Sequence, residues 1–526
     1  MKKSMLAVFS IMFIIVLVLL SGCAQEKPPE EKPNSFTLSG LTANKIIVTE
    51  AIPKYETGKD VTNYDSAFNK ETISVKNGKA TIELGESPVF IELDFSYPKA
   101  TIADYKDSPF GIHGLNDYSS NVNDIGARFT RYAGPQGLVW DLIEKSKGSF
   151  DWVSDERYLE TYQNNLKLFV TIKSANSWAN PSDCDKYGSR KEKCLYGPPQ
   201  DLDLYSNFIK KAVERYDADG IDDAPGSPRI DYYQVENEVD GGFWGGTKED
   251  YTLLLKTTYK AIKEADPTAK VAIAGMAGRM DYYKELLAEI EKIKDSPNDR
   301  YFDVFDYHIV TIYPNYKGNV FTAEGSPSEV KVTSVQEMLN EYGYGDVDVF
   351  ITEMSAYDGD PEGNFFGRQS ETQQAIELLK LYVYPIANDV KKIGWVTLTE
   401  WHNYAGKENS YFDNVGLINN PQNDGQSHKK LAYYTYKLMT EKLEGSDWDN
   451  IETISDGTGN IYVYKFYRKD LGKPVYVAWK DYSGEESKRE TAAQKPEAKS
   501  GTKGKCGDGV CGPVEKQKGA CPEDCK

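Results

Sequence analysis

The sequence predicts an α/β fold: a (β/α)8 TIM barrel with an accessory β-sheet domain and a small disulfide-rich motif at its C-terminus. Three observations carry this. From about residue 105 the chain alternates short apolar runs with helical patterns, the mark of a parallel sheet covered by helices. Eight such runs fit between residues 101 and 445, inside the range of about 200 to over 400 residues usual for the barrel. A doubly wound open sheet would want a Gly-rich phosphate turn after its first strand, and Gly111-Ile112-His113-Gly114 is not one.

The eight predicted barrel strands are 110–113, 127–132, 168–173, 230–236, 270–274, 302–309, 347–352 and 393–399. Helical patterns separate most of them, for example 202–216, 251–265 and 369–390. Ahead of the barrel, residues 36–100 carry alternating runs such as Thr72-Ile73-Ser74-Val75, 80–84 and 89–93. Asn77-Gly78 sits between two of them as a turn, which predicts a small β-domain. After the barrel, 446–482 contains the runs 461–464 and 474–478, expected as accessory strands that can share a sheet with 36–100.

The two ends speak of location. Lys2 and Lys3, an apolar run from Met5 to Leu20 and the small residues Ser21-Gly22 make up an export signal. The run is short for a bilayer span of about 20 residues, although an uncleaved anchor helix is the alternative. Either reading puts the remainder outside the cytoplasm. Leu20-Ser21-Gly22-Cys23 resembles the lipobox of prokaryotic lipoproteins, which implies a signal peptide over 1–22 and a lipid on Cys23 that tethers the chain to the membrane. Residues 23–35, mostly Pro, Glu and Lys, read as an extended spacer.

Seven cysteines leave six once Cys23 is assigned to lipid. Cys184 and Cys194 can pair across a polar loop. Cys506, Cys511, Cys521 and Cys525 cluster in 506–526, behind a polar linker at 483–505. Disulfides are the default in an oxidising compartment, which works against a zinc site built from the tail cysteines. The tail resembles short four-cysteine repeats of prokaryotic surface proteins, with Asp508, Glu515, Glu523 and Asp524 as weak Ca2+ candidates. A net charge of −19 argues against a nucleic-acid partner and suits an uncharged or cationic substrate. No cofactor or metal site is expected, since no HExxH-type spacing occurs.

Barrel chemistry sits where strands end at the C-terminal face. The fourth strand finishes Gln234-Val235-Glu236-Asn237-Glu238 and the seventh Phe350-Ile351-Thr352-Glu353. Two carboxylates facing each other across a barrel mouth can divide acid and nucleophile roles, as glycoside cleavage requires, and mutual repulsion assists that division.

Asn-Glu closing the fourth strand and Thr-Glu closing the seventh resemble the clan A glycoside hydrolases, a barrel group containing cellulases, β-mannanases, β-xylosidases and β-galactosidases. The resemblance covers about residues 105–445. It implies Glu238 as acid/base, Glu353 as nucleophile, Asn237 on the sugar 2-hydroxyl, and retention through a covalent glycosyl-enzyme, with carboxyls about 5–5.5 Å apart. Gly126-Ala127-Arg128-Phe129-Thr130-Arg131, leading to Trp140-Asp141 and Gly148-Ser149-Phe150-Asp151-Trp152, resembles the clan's second-strand segment, whose Arg supports the nucleophile. Of Arg128 and Arg131, the latter lies nearer the strand end and is taken for that role.

Three of the four histidines, His113, His308 and His402, fall at or after predicted strands and are expected to form a polar sugar-binding rim. Tyr313, in Ile312-Tyr313-Pro314, resembles the clan's sixth-strand Tyr beside the nucleophile, and Trp401 its aromatic platform. Trp178 and Trp244 are candidates for further subsites, with core packing as the alternative, and Glu400 for hydrogen bonding to substrate. The clan often has Pro after Asn-Glu, where this chain has Val239-Asp240. Glu236 is a second candidate acid, because alternation gives it the same facing as Glu238. Besides the glycosidase, three readings stand: a non-catalytic glycan-binding surface lipoprotein with a retained barrel, a transglycosylase using the same carboxylates, and a metal-dependent barrel hydrolase.

Overall fold

The computed structural model describes residues 34–55, 57–100, 107–115, 119–180, 197–241, 243–310, 318–323, 326–362 and 368–481. Cys23, Cys184, Cys194, Tyr313 and the tail cysteines Cys506, Cys511, Cys521 and Cys525 lie outside the described residues. Among the described residues, no helix is long and apolar enough to cross a membrane.

Strands β1 (Ser35–Ser39), β2 (Lys45–Glu50), β3 (Lys70–Ser74), β4 (Lys79–Glu83) and β5 (Val89–Leu93) come first. There follow β6 (Phe110–His113), β7 (Phe129–Tyr132), the two-residue β8 (Leu138–Val139), β9 (Lys167–Lys173), β10 (Ile230–Val235), β11 (Lys270–Ala272) and β12 (Val304–Val310). A hairpin, β13 (Gly318–Ala323) and β14 (Ser326–Lys331), precedes β15 (Asp348–Ser355) and β16 (Val390–Val396). The chain then runs through β17 (Glu452–Asp456), β18 (Ile461–Arg468) and β19 (Lys473–Lys480).

Strands β6, β7, β9, β10, β11, β12, β15 and β16 pair in parallel in that order, and β16 closes on β6. These are the eight strands read from the sequence, with the last one beginning three residues earlier than expected. Helices cover them by burying one stripe each. The helix Leu202–Arg215 buries Tyr205, Phe208, Ile209, Ala212 and Val213, spaced three and four apart, and its N-cap Asp201 accepts from the amides of Asp203 and Leu204. The helices Lys248–Ala265 and Glu371–Ala387 each start at a capping box, Thr247 with Asp250 and Ser370 with Gln373.

Alternation along the strands builds the barrel interior in layers. Phe129, Phe169, Ala272, Val304 and Phe350 form an apolar cluster with Tyr232 packed on it. Lys392 meets that cluster with its ammonium 5.7 Å from the Phe129 ring and 2.9 Å from the Ser108 carbonyl. Two residues further along the same strands stand Arg131, Thr171, Gln234, Asp306 and Thr352, all 0% exposed. An aromatic floor therefore carries a wholly buried polar layer, directly beneath the ends where chemistry is expected.

A six-stranded antiparallel sheet, in the order β17-β18-β19-β5-β2-β3, draws on both ends of the chain. Its alternation serves two cores. Val89, Ile91 and Leu93 pack toward the β1–β4 pair, whereas Phe90 on the opposite face joins the main core of barrel and helices. Glu92 shares that barrel-facing side. It is 0% exposed, meets Lys442 Nζ at 2.7 and 2.9 Å and accepts the Tyr97 amide at 2.8 Å. Lys442 belongs to the helix Leu431–Leu443, so this pair rivets sheet to barrel. Removing one partner of such a pair strands a buried charge. Lys442→Met is expected to destabilise the protein by about 3–5 kcal/mol in chemical denaturation, and Glu92→Gln together with Lys442→Met by clearly less.

Candidate active site

Two local departures from regular strand geometry bring the carboxylates together. On β10 the residues after Val235 do not continue the pleat, because Glu236 and Glu238 have φ of 66° and 44°. Alternation therefore fails, and the two glutamates separate. Glu236 turns to Lys173 Nζ at 2.6 Å and to the amide and hydroxyl of Ser174 at 2.7 Å, and is 2% exposed. Glu238 faces the barrel mouth instead. The expectation that both share one facing is corrected, and Glu236 is spent on structure.

On β15 the pairing with β12 gains one residue between Asp306↔Phe350 and His308↔Glu353. This β-bulge lets Thr352 and Glu353 both reach inward, where a flat strand would send one outward. A carboxylate oxygen of Glu238, one of Glu353 and a ring nitrogen of His308 consequently lie within 4.8 Å of one another.

Arg131 organises the centre. Its Nη1 donates to Glu353 Oε1 at 2.5 Å and stands 3.2 Å from His113 Nδ1. Nε and Nη2 donate to Gln234 Oε1 at 2.9 and 2.6 Å, and Nη2 also reaches Asn237 Oδ1 at 2.5 Å. With its oxygen held there, Asn237 has its amide nitrogen left for the cleft. Arg128 acts elsewhere, its charge felt at Glu444.

The electrostatics follow. Burial opposes the charge on Glu353, yet the His308 charge and the charge and hydrogen bond of Arg131 outweigh it and hold the carboxyl well below the usual carboxylate range. Burial pushes His113 down to about 3, which leaves it neutral at physiological pH. His308 is also opposed by burial, but Glu353 and Glu238 win and raise it above its ordinary value. Its Nδ1 lies 2.7 Å from Glu238 Oε1 and 3.8 Å from Glu353 Oε2. Gly275 makes this possible, since a Cβ there would stand 2.0 Å from His308 Nε2. Three close ligand atoms could suit a metal ion, but the Arg131 cation on Glu353 and the His308–Glu238 bond already engage them. The trio is a hydrogen-bonded acid–base cluster.

Several expected roles change. His113 and His308, at 6% and 1% exposure, are not rim residues, because their strands aim them into the barrel beneath the carboxylates. His402 does lie exposed, bonded to Asn423 and beside a cleft of about 800 Å3 that Asn403, Asp358 and Arg368 also line. Trp244 is 3% exposed with its edge on Tyr251, and Trp178 donates to the Glu144 carbonyl at 2.7 Å while packing on Trp140. Both follow the core-packing alternative. Glu400 is 7% exposed and occupied by Lys430, the Asn420 amide and Asn423, so it is an internal brace instead of a substrate contact.

Trp401 stands at the mouth with Tyr404 stacked on it at 4.7 Å and Phe412 tilted at 5.1 Å. Tyr404, 39% exposed, was not singled out in the sequence. Burial and then the charges of Glu353 and Glu238 push its hydroxyl upward. Gln234 and Asp306, which tie the polar layer together, were also missed. Strand alternation offered the signal, since they lie two residues before Glu236 and His308 on inward-facing positions.

The depressed Glu353 makes a prediction about stability. As pH falls, the unfolded chain takes up the Glu353 proton near its ordinary pKa of about 4.3, before the folded chain does. Its contribution to stability is thus present at neutral pH and drains away below about pH 4.3. Arg131→Met is expected to remove part of this contribution, His308 supplying the rest, so thermal melts between pH 7 and 3 should show a flatter acid dependence than wild type as well as a lower Tm.

No protein-family model matches the chain, and no curated protein matches its sequence. Solved structures do match. A family 39 glycoside hydrolase from the gut symbiont Bacteroides cellulosilyticus WH2 superposes with a TM-score of 0.52 at 14% identity, over 86% of this chain and 88% of that one. A glucosidase from Croceicoccus marinus gives 0.48 at 13% identity, over 70% and 76%. A monomeric β-xylosidase from Caulobacter crescentus CB15 gives 0.45 at 18% identity, over 70% and 75%. What the chain shares with the first of these is the fold, an eight-stranded parallel barrel with added antiparallel strands.

Proposed function

We propose that the chain is a retaining glycoside hydrolase that cleaves β-glycosidic bonds of an extracellular oligo- or polysaccharide by double displacement. One observation carries the reading: a carboxylate held ionised by a buried guanidinium, Glu353 on Arg131, has a second carboxylate oxygen within 4.8 Å. That closeness supports a pair set about 5–5.5 Å apart, the separation at which the second group attacks carbon directly, over the wider pair of an inverting enzyme.

In the first step Glu353 forms a bond to the anomeric carbon as the glycosidic bond breaks, and Glu238 gives its proton to the departing oxygen. In the second, Glu238 takes a proton from water, whose oxygen displaces Glu353 and restores the free carboxylate. His308, at 2.7 Å, keeps Glu238 aimed and offers a proton partner to it in both steps. Asn237, anchored through its oxygen to Arg131, presents its amide to the sugar hydroxyl beside the bond. Trp401 with Tyr404 supplies an aromatic face for the ring. The net charge of −19 suits a neutral glycan. The lipobox-like segment ending at Cys23 and the spacer after it support a place at the cell surface, tethered by lipid.

A panel of aryl β-glycosides and polysaccharides tests this. The first product released should keep the anomeric configuration of the substrate, as read by NMR. Glu353→Ala should abolish turnover, and Glu238→Ala should lower kcat/KM by about 10^2–10^4-fold on poor leaving groups and far less on good ones. Wild type that binds glycans and turns none over would leave the non-catalytic binding protein. New glycosides accumulating with added acceptor would favour the transglycosylase, and activity surviving Glu353→Ala would overturn the site.

A further inference from the structure

The roles assigned so far do not account for a wholly buried carboxyl in the polar layer of the barrel. Asp306 lies two residues before His308 on β12 and is 0% exposed. Its Oδ1 accepts the Thr352 amide at 3.0 Å, and its Oδ2 accepts the Thr352 hydroxyl at 2.6 Å and the Gln234 amide nitrogen. The same Oδ2 stands 4.0 Å from His308 Nε2, and the Thr352 hydroxyl stands 3.5 Å from that nitrogen.

A buried carboxylate is costly unless its surroundings demand it. Here every neighbour uses its charge. Thr352 immediately precedes Glu353 in the bulge that aims it. Gln234, fixed by giving its nitrogen to Asp306, turns its oxygen to Arg131 and Thr171. His308 has Glu238 on one ring nitrogen and the Thr352–Asp306 pair on the other, an arrangement that fits an imidazolium with both nitrogens protonated.

We propose that Asp306 is a positioning residue that sets both carboxylates at once: through Thr352 it holds the bulge that turns Glu353 toward Arg131, and from beneath His308 it favours the imidazolium whose Nδ1 proton is shared with Glu238, the proton that Glu238 passes to the departing oxygen. Among the described residues, the groups facing His308 are the carboxyls of Glu238, Glu353 and Asp306, the Arg131 cation, the neutral ring of His113, and Asp240 further along the β10 loop. Those facing Asp306 are His308 and Arg131, with Thr352 and Gln234 as donors. Burial pushes the Asp306 carboxyl up to about 6, and both cations act to bring it back, so the anion prevails at neutral pH.

The inference rests on the roles proposed for Glu238 and Glu353 only where activity is measured, so its test has two arms. The chain has four histidines, which makes a 15N-histidine NMR titration tractable, with each ring assigned from a single His→Gln variant. In wild type the His308 midpoint should lie above about 6.5. Asp306→Asn keeps the size and one acceptor oxygen, and should lower that midpoint by on the order of one pH unit. Thr352→Val, nearly isosteric, removes the bridging hydroxyl and should lower it by less; it serves where Asp306→Asn does not fold. In the kinetic arm, the alkaline limb of kcat/KM should move down with the midpoint, which a merely structural loss would not cause. A His308 midpoint unchanged in the folded variants overturns the inference, whether or not the enzyme is active. A midpoint that moves as stated in a wild type that hydrolyses nothing supports the Asp306 role and overturns the proposed function.

Discussion

The site depends on a guanidinium with no access to water. Arg131 is a permanent cation at 0% exposure, and such a group is tolerated only when its donors meet acceptors and its charge meets an opposite charge. Each partner it recruits is thereby fixed in place: Glu353 for charge, Asn237 and Gln234 for oxygens, and His113 for a neutral ring nitrogen. A lysine could not do the same, since one compact ammonium cannot span strands β6, β10 and β15 together. The fork of the guanidinium converts three strand ends into one rigid constellation.

The barrel supplies this layer by alternation and then breaks alternation to use it. Phe129, Phe169, Tyr232, Val304 and Phe350 form the floor, and the residues two further along are Arg131, Thr171, Gln234, Asp306 and Thr352. A regular continuation would repeat the same facing. Instead the bulge at the end of β15 admits Glu353 beside Thr352, and the left-handed backbone at Glu236 and Glu238 sends one glutamate to Lys173 and the other to the mouth. Irregular backbone marks both strand ends that carry the carboxylates, as expected where side chains must be re-aimed.

Much of this was legible in the sequence. Apolar period and turn residues located all eight barrel strands, and strand ends pointed to Glu238 and Glu353, because those signals are local. What stayed hidden was long-range or broke the local rule. That the C-terminal strands can share a sheet with residues 36–100 was legible, but not that β19 pairs with β5, since nothing near Phe90 or Val477 specifies the other. The opposite facing of Glu236 and Glu238 came from backbone angles that two acidic residues do not advertise. His113 and His308 looked like rim residues because a strand end can be open or closed, and here Arg131 and the carboxylates close over them. Trp178 and Trp244 carried equal sequence signals for stacking and for packing; burial decided for packing at Trp244, and at the half-buried Trp178 the contact with Trp140 and the bond to the Glu144 carbonyl did. Asp306 and Gln234 were legible in principle, since a strict period of two through His308 and Glu236 passes through both.

In the proposed mechanism the Arg131-bound Glu353 is the carboxylate that bonds to carbon, and Glu238 is its proton partner. A 2-deoxy-2-fluoro aryl glycoside of an accepted sugar, whose glycosyl-enzyme hydrolyses slowly, tests it most directly by mass spectrometry of the digested protein. A single glycosyl mass on the peptide bearing Glu353, absent in Glu353→Ala, is the result expected. A glycosyl mass on any other residue, or rapid hydrolysis of the parent glycoside with inversion and no adduct, would contradict it.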